Sequence, residues 1–195
     1  MARKTRRKIL YDGCYGHIYS RALEHRNIFQ DGADFETFKK LLLQTKEKFG
    51  YRIHHYCLMN THFHLLVWLD CVEQFSKGIK ELKRLYANWA HRQQKRYGPI
   101  WWGRFGSQLV ENEKYLYACG MYIEMNPVRA GMVARPEEWE YSSSRRYFLG
   151  HKDPLVDDYN RPEREEIRTI EEKLNLGEGH IIGSELFKIY AEENV

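Results

Sequence analysis

The pattern of hydrophobic and polar positions changes period several times along the chain, and each change marks an element. Residues 56–70, YCLMNTHFHLLVWLD, hold a dense apolar run. Its branched and aromatic content, and its short length between breaks, predict strand rather than helix. Successive strand side chains point to opposite faces, so His62 and His64 share one face while Phe63 and Leu65 share the other. Alternation also predicts a first strand over 15–22 and a hairpin of strands 51–58 and 61–69 that turns near Met59-Asn60-Thr61. Three- and four-residue spacing predicts a helix over 35–49. Its N-cap is Asp34, its apolar stripe is Phe35, Phe38, Leu41, Leu42 and Phe49, and Gly50 stops it. The same spacing predicts a helix over 72–97 through Phe75, Ile79, Leu82, Tyr86 and Trp89, ended by Gly98-Pro99. An aromatic turn over 100–105 leads to a fourth strand, 107–110, and a third helix, 112–125. Asn126-Pro127 is expected to stop that helix, because the residue before proline is driven out of the α region.

The order strand, helix, strand, strand, helix, strand, helix is that of a ferredoxin-like split βαβ unit. The expected class is α+β: an antiparallel sheet with helices on one face and an added C-terminal helix. Residues 151–161 are polar, contain Pro154 and read as a linker; 162–175 and 183–192 read as short helices around Gly177-Glu178-Gly179. The expected division is a basic arm over 1–11, a main domain over 12–150 and an acidic extension over 151–195.

Charge sharpens this division. The net charge of +4 is the sum of +10 over residues 1–150 and −6 over 151–195. A basic body of this kind reads either as a surface for a polyanion, nucleic acid above all, or as ordinary solvated surface. Arg3, Lys4, Arg6 and Arg7 sit in an N-terminal arm that can lie on phosphates, and Lys77, Lys80, Lys83, Arg84 and Arg92 fall on the polar faces of helix 72–97. Trp101 and Trp102, next to Arg104, are candidates to stack unpaired bases or, equally, core aromatics. No apolar run approaches the roughly twenty residues of a membrane span. The N-terminus lacks the apolar stretch of a secretory signal. Cys14, Cys57, Cys71 and Cys119 show no CxxC spacing. The expectation is a cytoplasmic protein with reduced, buried thiols and no membrane contact.

Two imidazoles on one strand face make two corners of a metal site. Helix 112–125 offers Tyr122 and Asn126, four residues apart on one face: a phenol that can act as nucleophile and an amide oxygen that can ligate. Mixed imidazole and oxygen donors suit Mn²⁺ or Mg²⁺ better than a closed thiolate zinc site. Asn126 before Pro127 reads equally as the N-cap of a following turn. Tyr115 and Tyr117 on the same helix are rival nucleophiles, and His17, His54 and His55 read as structural or surface groups. No GxxxxGK[ST] loop occurs, so no nucleotide cofactor is expected.

Four stretches together, YCLMNTHFHLLVW, GPIWWGRF, YIEMNPVRAGMV and EEWEYSSSRRYF, make the chain resemble the REP-associated tyrosine transposases, within the wider HUH group of single-tyrosine transposases. The resemblance spans roughly residues 12–150. The family usually has Pro-Asn before the first histidine, where this chain has Asn60-Thr61. The resemblance implies that His62, His64 and Asn126 hold Mg²⁺ or Mn²⁺ and that Tyr122 is the nucleophile. It also implies an enzyme that cleaves and rejoins single-stranded, hairpin-forming REP-like DNA in transposition, through a 5′-phosphotyrosine. The protein would act as a monomer or a homodimer. The alternatives are a transposase-derived regulator that grips hairpin DNA without cutting, and an RNA-binding ferredoxin-like module.

Overall fold

The computed structural model describes residues 10–95 and 97–159. Strand β1, Cys14–Arg21, leads to helix α1, Gly32–Phe49. Strands β2, Arg52–Met59, and β3, His62–Leu69, form the expected hairpin around Asn60-Thr61. Helix α2, Val72–Gln93, crosses back to strand β4, Gly106–Val110. Helix α3, Glu113–Glu124, is followed by a single turn, α4, Asn126–Arg129, and a short α5, Ser144–Leu149. All pairings are antiparallel and the strand order is β2-β3-β1-β4, the ferredoxin-like arrangement predicted from the element order.

The alternation of β3 is satisfied on both sides. Phe63, Leu65, Val67 and Leu69, with Ile18 of β1, pack against Phe38 and Leu42 of α1 and Phe75, Ile79, Leu82 and Tyr86 of α2. On the other face Leu66 joins Cys57, Met59 and Val110 beneath Leu116 and Ile123 of α3. Each buried side chain of this size contributes about 1.5–3 kcal/mol, so the register of β3 is strongly specified: a one-residue slip would exchange the two sets. Helices α1 and α2 therefore lie on one face of the sheet and α3 on the opposite one.

Several boundaries differ from the sequence reading, each for a local reason. The N-cap of α1 is Asp31, whose side chain accepts from the Asp34 backbone N–H at 3.1 Å. Asp34 is buried inside the first turn, where its carboxylate accepts from the Gln30 backbone N–H at 2.6 Å and from the Gln94 side chain. Gly50 stops α1 in the left-handed conformation, φ 64°. Asn126-Pro127 does not force the chain out of helical space: Asn126 itself opens the turn α4, and Pro127 enters its first turn, where its missing donor costs nothing.

The linker expected over 151–161 is also corrected. Its described part, through residue 159, packs on the domain, with Leu155 and Val156 buried in the core. The main domain thus runs past residue 150. Residues 141–143 and 157 lie along the outer edge of β2. Leu58 N–H donates to Tyr141 O, Ser143 N–H to Tyr56 O and Asp157 N–H to Ile53 O. The β2 edge of the sheet is thereby covered, which blunts a surface otherwise open to pairing with another chain. Arg3, Lys4, Arg6, Arg7, the helices expected over 162–175 and 183–192, and most of the acidic extension lie outside the described residues. Cys14, Cys57, Cys71 and Cys119 are all free thiols, the first two buried.

Candidate active site

The face of the sheet beneath α3 collects the imidazoles. The β1–β3 register pairs Tyr19 with His64 and Arg21 with His62, while His17 is two residues back on the same face. His17 Nε2 and His64 Nδ1 are 2.9 Å apart, a buried hydrogen bond between stacked rings with centroids 5.1 Å apart. The His62 ring lies perpendicular to that of His64, centroids 5.0 Å apart, with Nδ1 at 3.0 Å from Thr61 Oγ1. Each of His62 and His64 thus has one ring nitrogen engaged and Nε2 as the other. Burial pushes the pKa of His17 down to about 4 and lowers that of His62. His64 falls well below its usual value of 6.5, first by burial and then by the fields of His17, His62 and Arg129. All three are neutral at pH 7, the protonation state that a ligating imidazole needs.

Helix α3 sets Tyr122 above this face. Its half-buried ring meets His17 and His64 edge-on, with centroids 5.9 Å from each. The Arg129 guanidinium carbon sits 4.9 Å from the centre of the same ring, brought there by the turn of α4. Asn126 does not act as an N-cap. Its side-chain amide donates to the backbone carbonyls of Tyr122, at 2.9 Å, and Ile123, at 3.2 Å, closing the end of α3 and fixing the direction of its own oxygen. Tyr122 and His64 thus lie side by side, with His62 next to His64. Among the described residues, no three His, Cys, Asp or Glu side chains converge as a metal site.

A buried polar cluster adds to the apolar packing of α3 on the sheet. His55 Nδ1 lies 2.8 Å from Glu124 Oε1, Ser143 Oγ donates to the same oxygen at 2.7 Å, and His55 Nε2 lies 2.8 Å from Tyr159 Oη. Gly120 rides directly over the His55 ring. Sequence reasoning gave Arg129 and Glu124 no role and read His17 as structural or surface; His55, read the same way, is structural, a buried anchor for α3. The clue to His17 was its even spacing from Tyr19 on a strand that a ferredoxin-like order puts beside β3.

The proposed DNA contacts are split up. Lys77, Lys80, Arg84 and Arg92 are exposed, but on α2, across the sheet from Tyr122. Lys77 pairs with Glu73, Arg84 with Glu81, and Arg92 with the Asn88 carbonyl. Lys83 does not line a groove: it is buried, donates to Ser20 Oγ at 2.7 Å and Gly103 O at 2.9 Å, and lies 5.0 Å from the centre of the Trp101 ring. Trp101 is half-buried against Phe38, Phe63 and Tyr86 and donates to Lys83 O, so it is a packing residue. Trp102 and Arg104 are exposed.

A ferredoxin-like sheet carrying an HxH strand beneath a tyrosine helix is the setting in which the comparisons with known proteins fall. Residues 10–126 match the family described as IS200-like transposases, and the chain belongs to that family. It is similar to a REP-associated tyrosine transposase of Haemophilus influenzae, 30% identical over 122 residues, which covers 56% of this chain and 68% of that protein. Its fold matches that of a REP-associated tyrosine transposase solved bound to a REP hairpin, at a TM-score of 0.64 and 20% identity, over 84% of this chain and 98% of that one. A transposase structure from Deinococcus radiodurans matches at a TM-score of only 0.40 and 17% identity, over 68% of this chain and 92% of that one. No helix among the described residues is long and apolar enough to cross a membrane.

Proposed function

We propose that this chain cleaves and rejoins one strand of hairpin-forming, REP-like DNA, with Tyr122 as nucleophile. The observation that carries the reading is the Tyr122 ring lying 5.9 Å from the His64 centroid, over the face that bears both histidines of the HxH strand. Tyr122 Oη bonds to phosphorus as the P–O3′ bond breaks. The phenol proton leaves and O3′ takes one up, which gives a 5′-phosphotyrosine and a free 3′-hydroxyl. Attack by a 3′-hydroxyl on the phosphotyrosine reverses these bonds and rejoins a strand. The ester bond is conserved throughout, so no nucleotide is consumed. A free phenol has a pKa of about 10, so attack must meet the cost of deprotonation. The Arg129 guanidinium packs on the ring and so positions Tyr122.

The donors present fit a weakly held Mg²⁺ or Mn²⁺: two neutral imidazoles, His62 and His64, and the Asn126 amide oxygen, whose direction its own donor bonds fix. When bound, such an ion supplies polarisation of a phosphate oxygen and orientation of the diester. His17 holds the His64 ring through Nδ1 and so directs its Nε2.

A denaturing gel tests the reading. Wild-type protein with a hairpin oligonucleotide and Mn²⁺ or Mg²⁺ should give a covalent adduct that Tyr122→Phe lacks and that Tyr115→Phe and Tyr117→Phe keep. His62→Ala and His64→Ala should lose cleavage far more than binding. An undiminished adduct in Tyr122→Phe refutes the nucleophile. Tight hairpin binding by the wild type with no adduct at all would instead favour the non-cleaving regulator.

A further inference from the structure

Tyr19 is on the same face as His64 and opposite it in register, yet its ring turns the other way, across β4. A Cβ added to Gly106, its partner on β4, would sit 2.3 Å from Cε2 and Cζ of Tyr19 and 2.7 Å from its hydroxyl. The ring therefore occupies the space that a side chain at 106 would take. No left-handed conformation calls for glycine at 106, since its φ is not positive. A glycine inside a strand weakens it and marks a close approach; here the approaching group is the tyrosine ring. Beside Gly106, Tyr19 remains 40% exposed, 6.1 Å centroid to centroid from His64. Two residues further along β1, Arg21 pairs in register with His62 and lies 5.2 Å from the centre of the Trp102 ring, itself 52% exposed. An aromatic ring and a cation–aromatic pair thus run beside the HxH row, one strand over.

Resting on the reading of the site as a DNA strand-cleaving centre, we propose that Tyr19 is a stacking platform for an unpaired nucleotide next to the scissile phosphate, with the Arg21–Trp102 pair holding its neighbour. Single strands are gripped by this combination: flat rings that accept any base face, and cations that follow the phosphates. The row is about 7 Å from Tyr19 to Arg21, the i to i+2 step of a strand. It flanks the imidazoles on the side of β4.

The test uses the full chain and two probes at low salt. One is a hairpin with a single-stranded oligo(dT) tail that carries one 2-aminopurine; the other is the same hairpin without the tail. Tyr19→Ala should bind the tailed probe about tenfold more weakly, as the loss of one base stack implies, and bind the tailless probe as the wild type does. Tyr19→Phe and Tyr19→Trp should stay within about twofold of the wild type, because they keep a stacking face. Gly106→Ala, which displaces the ring, should reproduce the loss, and the double variant should lose no more than either single one. Phe148→Ala, an exposed aromatic on α5, should change nothing. The wild type should change 2-aminopurine emission and Tyr19→Ala should not. Equal losses on both probes, or a Tyr19→Phe as weak as Tyr19→Ala, would overturn the platform. A wild type that binds both probes equally would overturn it while leaving the strand-cleaving reading standing; a wild type that binds neither would overturn both.

Discussion

Replacing Gly120 by alanine should destabilise this protein, although the same change in an ordinary helix stabilises it. An alanine Cβ at 120 would lie 2.6 Å from His55 Nε2 and 2.8 Å from Cδ2 and Cε1. The ring cannot step aside: it is held by Glu124 through Nδ1 and by Tyr159 through Nε2, and it stacks on Tyr147 at 4.4 Å. Alanine gains about 1 kcal/mol over glycine in helical propensity. Against this, overpacking of a closed site costs about 1–3 kcal/mol. Displacement of His55 would leave the fully buried Glu124 short of a donor, which costs about 1–3 kcal/mol more. The net is a loss of about 1–5 kcal/mol, and for a chain of this length each kcal/mol lowers Tm by about 2–4 °C. Thermal or urea unfolding of Gly120→Ala, His55→Ala and the double variant isolates the cause. In the His55→Ala background the ring is gone, so Gly120→Ala should become neutral or stabilising, with a coupling of about 2 kcal/mol or more. Adduct yield per folded Gly120→Ala molecule should also fall, because the displaced helix carries Tyr122. A Tm that rises in Gly120→Ala alone refutes the reasoning.

Stability should fall with acid. His17 and His54 have pKa values near 4 in the fold through burial, against 6.5 when free. Between those values the unfolded chain binds the protons first, so stability is full above about pH 6.5, declines towards about pH 4 and then levels off, by up to about 3 kcal/mol per histidine. Urea unfolding at several pH values checks this, and a flat or rising profile on acidification contradicts it. Lys83→Met should cost about 2 kcal/mol, from two lost charge-assisted bonds, and leave hairpin affinity per folded molecule unchanged; a selective loss of affinity would return Lys83 to the DNA surface. His17→Ala should weaken Mn²⁺ binding by about tenfold or more, measured by paramagnetic titration without DNA, because His64 loses the bond that orients it. Unchanged affinity would reduce His17 to a packing role.

The parts of the site that were legible in the sequence are those governed by short-range periodicity. Alternation put His62 and His64 on one face, and a four-residue step put Tyr122 and Asn126 on one end of a helix. The residues that were not legible depend on which strand lies beside which. His17 reaches His64 only because β1 is the neighbour of β3, and Glu124 meets His55 only because α3 lies across β2. Lys83 misled because a helical wheel shows charge but not the carbonyl of Gly103 waiting above Ser20. Residues 151–159 misled because their polar composition concealed two apolar side chains, Leu155 and Val156, and an aspartate, Asp157, that accepts the Ile53 N–H at 2.8 Å. Proline at 127 obeyed its general rule only in part, because a helix may restart where another ends.

The cover on β2 imposes a schedule on synthesis. A ribosome delivers the chain from its N-terminus, and Tyr122, His62, His64 and Asn126 are all present before any residue that covers β2 has emerged. The family match also stops at residue 126. Between residues 126 and 141 the candidate site residues have all been made while β2 has none of its covering residues, and His55 and Glu124 still lack Tyr159 and Ser143. That interval is when a second nascent chain on the same message has a strand to pair with. A fragment cut at the end of the family match would make the interval permanent, and its failure would say nothing about the tyrosine.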